Sequence, residues 1–423
     1  MAEDINPWSS TPKVSIEKLI ENFGIDRFEP QKERLDGSSD IPLFMRRDIV
    51  QGHRGYDAVA DAILQKKPFH VLTGFMPSGH PHLGHLMVMK EVIWHIQHGG
   101  RGFISIADRE AHAVRGLSWD ACDTYAREYI SCLYALGFEG EIYAQRKNNE
   151  LKDLAFEAAR KINFSNLSAI YGFGPETELA HAVSVSMQVA DILYPQLKAG
   201  AAPTIVPVGI DQDPHIRLTR DVTNALRLFL VEDRGTHISI RAKNAPAEAI
   251  DAVAKAFPGS KKYEGHIDLP AGHTAAETDA VVRGIEQQFG GFGFMLPSST
   301  YHSFLMGFQG GKMSSSVPDS LIWFDDEDRD VKKKIMGAVT GGRQTLEEQK
   351  KLGGEPDKCA IYQLNKFHMQ DDDKELAKMC EACKAGELMC GTCKKETLER
   401  VRAFLAEFKE KRDEVVHKVA EWK

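Results

Sequence analysis

The sequence predicts an α/β fold: a parallel sheet covered by helices, with a small α+β insertion and an all-helical C-terminal region. Three observations predict it. Short apolar, β-rich runs alternate with helical patterns between Pro68 and Gly209, a differently patterned stretch occupies about 236–295, and beyond Phe324 the chain turns long, charged and helical.

Residues 1–66 mix turn signals (Asn6-Pro7, Thr11-Pro12, Asp36-Gly37-Ser38-Ser39) with helical patterns at Ser15–Phe23 and Tyr56–Leu64, and read as an N-terminal extension. In 67–235, Pro68–Thr73 is an apolar run ending at Gly74, followed by a turn and the helical pattern His85–His98. A second buried strand spans Gly102–Ala107, then come helical sequence from Trp119 to Leu136, a strand near Glu141–Ala144, and helices through Asp191. Ala202–Val208 is again β-rich, and such alternation indicates parallel strands with crossover helices. The 236–295 insertion reads as strand His237–Arg241, helix Pro246–Ala256, strand Lys261–Ile267 and helix Ala275–Phe289. Residues 296–325 return to the main domain. Residues 326–423 carry helical patterns at Asp328–Val339, Leu346–Leu352, Ala360–Met369, Asp372–Ala385 and Lys395–Trp422.

In a chain of 423 residues, 42% hydrophobic and 27% charged residues are enough for a large core and exclude wholesale disorder. The longest apolar runs, such as Phe69–Met76, fall far below the roughly 18 residues of a membrane span. The start, Met1-Ala2-Glu3-Asp4, lacks the basic and apolar stretches of a secretory leader, so a cytoplasmic protein without membrane partners is expected. A net charge of −8 means that a nucleic-acid partner needs a local basic surface. Cys359, Cys380, Cys383, Cys390 and Cys393 crowd a short stretch, which in a reducing compartment suggests metal before disulfide.

Gly74-Phe75-Met76-Pro77-Ser78-Gly79-His80-Pro81-His82-Leu83-Gly84-His85 lies between a strand and a helix. A helix N-terminus presents free N–H groups and a partial positive charge to an anion. Gly79 and Gly84 let a ligand approach the backbone, and His82 and His85 can donate to phosphate oxygens. A His-x-x-His pair by itself is usually surface chemistry or a metal pair rather than a phosphate site; the preceding strand and Pro-Ser-Gly shift the reading to phosphate. Far downstream stands Gly310-Gly311-Lys312-Met313-Ser314-Ser315-Ser316, whose lysine is a point charge on a flexible stem able to follow moving phosphates.

With His82-Leu83-Gly84-His85 and Lys312-Met313-Ser314-Ser315-Ser316 the chain resembles the class I aminoacyl-tRNA synthetases. Ile106-Ala107-Asp108-Arg109-Glu110-Ala111-His112, Ser186 to Leu193, Gly209-Ile210-Asp211-Gln212-Asp213-Pro214-His215, Arg217 to Asp221 and Gly341-Gly342-Arg343 narrow the resemblance to tryptophanyl-tRNA synthetases of the archaeal and eukaryotic kind. It covers almost the whole chain, the 236–295 insertion least.

The resemblance implies a Rossmann-like catalytic domain and a C-terminal anticodon-binding domain in a homodimer. The implied reaction joins L-tryptophan to ATP, with Mg²⁺ on the nucleotide, and transfers the acyl group to tRNA(Trp) rather than acting on DNA. By family match, His82, His85 and Lys312 serve the phosphates and Ser314 loop closure. Gly74, Pro77, Ser78, Gly79, Gly84, Gly209, Asp211 and Met313 serve ATP.

The tyrosyl enzymes share the fold and both loops, so the side-chain pocket must decide between the two amino acids. By resemblance an aspartate at the place of Asp191 accepts from the indole N–H in bacterial tryptophan enzymes and from the phenol O–H in tyrosyl enzymes, so alone it does not discriminate, while Glu110, Gln188 and Gln212 hold the ammonium and backbone of the substrate. Leu72 and Ser105 stand where the eukaryotic tryptophan enzymes carry tyrosine and glutamine. Indole only donates, whereas phenol donates and accepts. Beside apolar Leu72, phenol lone pairs would lack a donor, a mismatch of roughly 1 to 3 kcal/mol that favours tryptophan.

The cysteines admit three readings. Cys380-x2-Cys383-x6-Cys390-x2-Cys393 fits a four-thiolate zinc site. Cys359, Cys383, Cys390 and Cys393 resemble the [4Fe-4S] spacing of some bacterial tryptophan enzymes. Unmetallated thiols are the third. Alternative functions are a tyrosyl-tRNA synthetase, a small-molecule adenylyltransferase and a non-catalytic RNA-binding paralogue. Lys243, Lys255, Lys261 and Lys262 raise a contact of the insertion with the acceptor arm of tRNA, against the slightly favoured reading of a decorative insertion.

Overall fold

The computed structural model describes residues 24–37, 40–311, 313 and 317–422; the expected Ser15–Phe23 helix lies outside them, as do Lys312 and Ser314. The strands are β1 (Asp26–Arg27), β2 (Val50–Arg54), β3 (Phe69–Phe75), β4 (Gly100–Ile106), β5 (Gly140–Ala144), β6 (Thr204–Gly209), β7 (Phe229–Asp233), β8 (Ile238–Ala242), β9 (Lys261–Lys262), β10 (His266–Asp268) and β11 (Ser298–His302).

Seven of them form one sheet in the order β1-β2-β11-β6-β3-β4-β5. β11, β6, β3, β4 and β5 run parallel, as the alternation of apolar runs and helices predicts. The edge differs from that expectation. β2 pairs antiparallel with β11, and β1 antiparallel with β2, so the sheet is mixed and part of the N-terminal extension belongs to it. The sequence Val-Gln-Gly-His-Arg of β2 carries little β signal; its place between β1 and β11 is set by pairing with these neighbours rather than by an alternating apolar pattern of its own.

Strand register sorts the side chains into two faces. Gly74, Ser105 and Tyr143 are cross-strand neighbours and share one face. That face packs on the Leu179–Ala199 helix in a core containing Leu72, Phe103, Tyr143, Val189 and Leu193. Val71, Ile104 and Phe75 belong to the opposite face and to a second core with the Leu83–Gln97 helix.

β7, β8, β10 and β9 form a separate antiparallel sheet covered by the Ala247–Ala256 and Ala275–Gln288 helices. The expected single strand Lys261–Ile267 is a hairpin instead. Glu264-Gly265 turns the chain, and the Tyr263 N–H donates to the His266 carbonyl at 2.8 Å. β7, which is not among the expected strands although Phe229-Leu230-Val231 is an apolar run, joins this sheet ahead of residue 236.

The C-terminal helices are Asp328–Gly337, Leu346–Leu352, Ala360–Leu364 (continued by a wider π turn to Met369), Asp373–Lys384, Cys390–Glu414 and Val416–Glu421. The long helix starts five residues before the expected Lys395 and breaks at Val415, so Cys390 and Cys393 lie in its first turn. These helices share the larger core with the sheet: Phe324 stacks on Phe408 at 4.5 Å, and Arg47 pairs with Asp373 at 2.6 Å. Among the described residues no helix is long and apolar enough to cross a membrane.

Candidate active site

β3 leads to β4 and β5 on one side, whereas the next strand of the sheet, β6, lies on the other. Such a switch leaves a crevice beyond the strand ends, where ligands bind in α/β sheets. A cleft of about 430 Å³ lies there, lined by Leu72 and Gly74 of β3, Gly209 at the end of β6, His85, Met313 and residues of the Leu179–Ala199 helix.

At one end stands the N-terminus of the Leu83–Gln97 helix. His82 is its N-cap: His82 Nδ1 accepts from the Gly84 N–H at 3.0 Å, and His85 Nδ1 accepts from the His82 N–H at 3.2 Å. A ring nitrogen that accepts from an amide carries no proton, so a neutral ring has its proton on Nε2 and can donate from there. The two rings lie 3.9 Å apart, and His85 Nε2 is 3.3 Å from the Tyr129 hydroxyl. Gly84 has a steric reason to be glycine: a Cβ would come within 2.7 Å of the His82 ring and 3.7 Å of Met313 Cβ. Met313 is buried against this turn, which brings the second loop to the first at that residue. Pro77, Ser78 and Gly79 form the loop before His82, closed by a Ser78 N–H to Met76 carbonyl bond of 2.8 Å.

At the other end two carboxyls are buried. Glu110, on the Asp108–Arg115 helix, accepts from Gln188 Nε2 at 3.1 Å, and burial pushes its pKa up to about 7. Asp191 accepts from Ser105 Oγ at 2.8 Å, Tyr143 Oη at 3.1 Å and Gln145 Nε2 at 2.7 Å. Burial pushes its pKa up to about 7 as well, against the pull of those three donors. Two buried acids in one cleft favour a ligand that brings positive charge and N–H donors. Gln212 and Asp211, in the turn after β6, and His215 complete this side. The His215 ring lies 2.8 Å from the Tyr171 hydroxyl and is held neutral by burial, its pKa lowered to about 3. A Cβ on Gly209 would approach Asp211 Oδ1 to 2.7 Å and the Phe304 ring to 2.8 Å.

Of the residues singled out from sequence, Leu72, Gly74, His85, Glu110, Gln188, Asp191, Gly209, Asp211, Gln212 and Met313 therefore meet at one cleft. Tyr143 and Gln145 were missed. Tyr143 lies near the end of β5 and Gln145 opens the short turn that follows it; polar groups two apart where the chain leaves a core-facing strand were the available signal.

The C-terminal cysteines form a second constellation. Cys359, Cys383, Cys390 and Cys393 line one small apolar cavity, and Cys380 does not. Gly342 and Gly354 make room for them, since a Cβ there would meet Cys390 Sγ at 2.6 Å and Cys383 Sγ at 2.8 Å. Burial, reinforced by the neighbouring thiols, pushes Cys393 up to about 12. Among the described residues no three His, Cys, Asp or Glu are disposed around a single metal ion.

Residues 64–245 and 278–406 match the family of class I tRNA synthetases for W and Y; the interval between them falls in the smaller sheet and its helices. The tryptophan–tRNA ligase of Methanosarcina acetivorans is 46% identical over 98% of this chain and 97% of its own. That of Archaeoglobus fulgidus is 44% identical over 97% and 98%. A crystal structure of the tryptophanyl-tRNA synthetase of the archaeon Aeropyrum pernix superposes with a TM-score of 0.77 at 30% identity, covering 98% of each chain. The chain therefore belongs to the class I tRNA synthetases of the tryptophan and tyrosine family, among the tryptophanyl enzymes of archaeal type.

Proposed function

We propose that this protein is a tryptophan–tRNA ligase: it condenses L-tryptophan with ATP to tryptophanyl-adenylate, releases pyrophosphate and transfers the acyl group to tRNA(Trp). The observation that carries this reading is the single cleft with an imidazole-capped helix N-terminus at one end and the buried Glu110 and Asp191 at the other. Glu110 and Gln188 take the ammonium, Gln212 the substrate backbone, and Asp191 the indole N–H above Leu72. The carboxylate then lies free to attack the α-phosphorus, and the protein's task is positioning and charge stabilisation rather than proton transfer.

Nε2–H of His82 and His85 and the ammonium of Lys312 meet the developing charge on the phosphates, with Ser314 and Met313 in the closing loop. Gly74, Pro77, Ser78, Gly79, Gly84, Gly209 and Asp211 contact the nucleotide. A Mg²⁺ bound to ATP would supply charge neutralisation on the phosphates, held mainly by the nucleotide's own oxygens. The domain limits 1–66, 67–235, 236–295, 296–325 and 326–423 serve this reading as extension, catalytic domain, insertion, catalytic return and anticodon-binding domain, in a cytoplasmic enzyme.

Two finer assignments accompany it. Cys359, Cys383, Cys390 and Cys393 hold a [4Fe-4S] cluster in preference to zinc, supported by their shared cavity and by the position of Cys380 outside it. Homodimerisation is supported by the exposed apolar side chains Phe156, Phe164, Leu179 and Val183 on three successive helices.

The test is ATP–pyrophosphate exchange with each of the twenty amino acids. Exchange is expected with tryptophan alone. Exchange supported by tyrosine alone would make the protein a tyrosyl enzyme, and activity unaffected by removal of 326–423 would favour a small-molecule adenylyltransferase.

A further inference from the structure

Asp191 receives more hydrogen bonds than a side chain that merely recognises one ring nitrogen needs. Ser105 comes from β4, Tyr143 from β5, and Gln145 from the short turn that follows β5, and all three donate to the one carboxyl. Ser105 and Tyr143 are directly paired across the sheet, so the register itself sets them side by side beneath the Leu179–Ala199 helix. We infer that Tyr143 and Gln145, with Ser105, are positioning residues that hold the Asp191 carboxylate as an acceptor with one direction left open for the indole N–H, and so set the choice of tryptophan over tyrosine. The inference rests on the tryptophan ligase reading above.

A carboxylate offers about four acceptor directions. Oδ1 takes Ser105 and Tyr143, and Oδ2 takes Gln145, leaving one direction for a substrate donor. The hydroxyl protons of Ser105 and Tyr143 and one N–H of Gln145 are thereby committed. A phenol entering the same place could give its proton to Asp191, but among these three groups its lone pairs would find only the second N–H of Gln145. Indole, which has no lone pair to satisfy at nitrogen, loses nothing.

The donors have a second effect. Asp191 is buried, its charged neighbours are Asp108 and Glu110, and among the described residues no Lys, Arg or His forms an ion pair with it. Burial and Asp108 favour the protonated acid, which would present an O–H to the ring; the three donors oppose this. Removing one donor moves the titration of Asp191 to higher pH and weakens indole binding at neutrality.

The experiment measures ATP–pyrophosphate exchange from pH 6 to 9 for the parent, Tyr143→Phe and Gln145→Leu. Substrates are tryptophan, tyrosine and 3-benzothienyl-L-alanine, in which sulfur replaces the ring N–H. For tryptophan, KM of the parent should rise toward acid pH. In both variants that rise should begin at higher pH, with KM up about tenfold at pH 7 and kcat changed less than twofold. The tryptophan-to-tyrosine ratio of kcat/KM should fall by a similar factor, and KM for the sulfur analogue should be the same in all three proteins. Glu110 titrates in every variant, so the difference between profiles reports Asp191. Profiles that stay parallel, an unchanged ratio, or an equal loss with the analogue would reduce both residues to core packing. A parent without tryptophan-dependent exchange would remove the ligase reading itself.

Discussion

Glu91 and Asp191 are buried acids on opposite faces of the same sheet, each carried by a helix packed on it. Asp191 has three donors. Among the described residues Glu91 has one, Thr300 Oγ1 at 2.5 Å, and its buried Oε2 has no hydrogen-bond partner. Burial pushes Glu91 up to about 8, and next to it the Tyr56 hydroxyl meets His95, whose pKa burial lowers to about 4. At neutral pH this layer is therefore uncharged: a protonated acid, a neutral imidazole and a phenol. The comparison teaches that burial by itself does not set how a carboxyl is held: it raises both pKa values, yet Asp191 sits among three donors and Glu91 beside one.

The largest expected effect breaks the contrast at the substrate side. Asp191→Ala removes the acceptor and leaves three donors facing one another, so tryptophan-dependent kcat/KM in pyrophosphate exchange should fall by about a thousandfold. A loss under about tenfold would show that the ring nitrogen is read elsewhere.

Next, Glu91→Gln probes the core acid. A carboxyl whose folded pKa is raised makes the folded state bind more protons than the unfolded one. Parent stability contributed by this group therefore declines as pH rises from the unfolded value near 4.5 to the folded value near 8. The amide has no such dependence, so the variant should gain about 3 kcal/mol on the parent between pH 5 and 8 in denaturant titrations. Exchange activity should stay within about twofold. A pH-independent difference would mean that Glu91 is ionised in the fold.

The smallest effect sharpens the ligand side. Leu72→Tyr puts a hydroxyl beside Asp191 that can donate to an incoming phenol, and the tryptophan-to-tyrosine ratio of kcat/KM should drop by about fivefold, roughly 1 kcal/mol. An unchanged ratio would place discrimination wholly with the Asp191 donors.

Much of the site was legible because it is local in sequence. A strand, a turn and His-x-Gly-His at a helix start lie within one short segment, so capping and anion affinity follow from neighbours in the chain. Glu110, Gln188 and Asp191 stood out through resemblance. Their burial and bonding did not, because the partners of Asp191 lie 86, 48 and 46 residues away. In the same way, residue spacing left Cys359 and Cys380 as rivals, and the cavity includes the first and excludes the second.

The sequence by itself determined the alternation that makes an α/β sheet, the capped helix start at His82 and the helical C-terminal quarter, since periodicity and capping act over a few residues. Tertiary structure alone decided which strands bring Ser105, Tyr143 and Gln145 to one carboxyl, and that Glu91 is left with Thr300. Hydrogen-bond donors reach a buried acid through strand register and helix packing. These depend on the whole fold rather than on any local pattern.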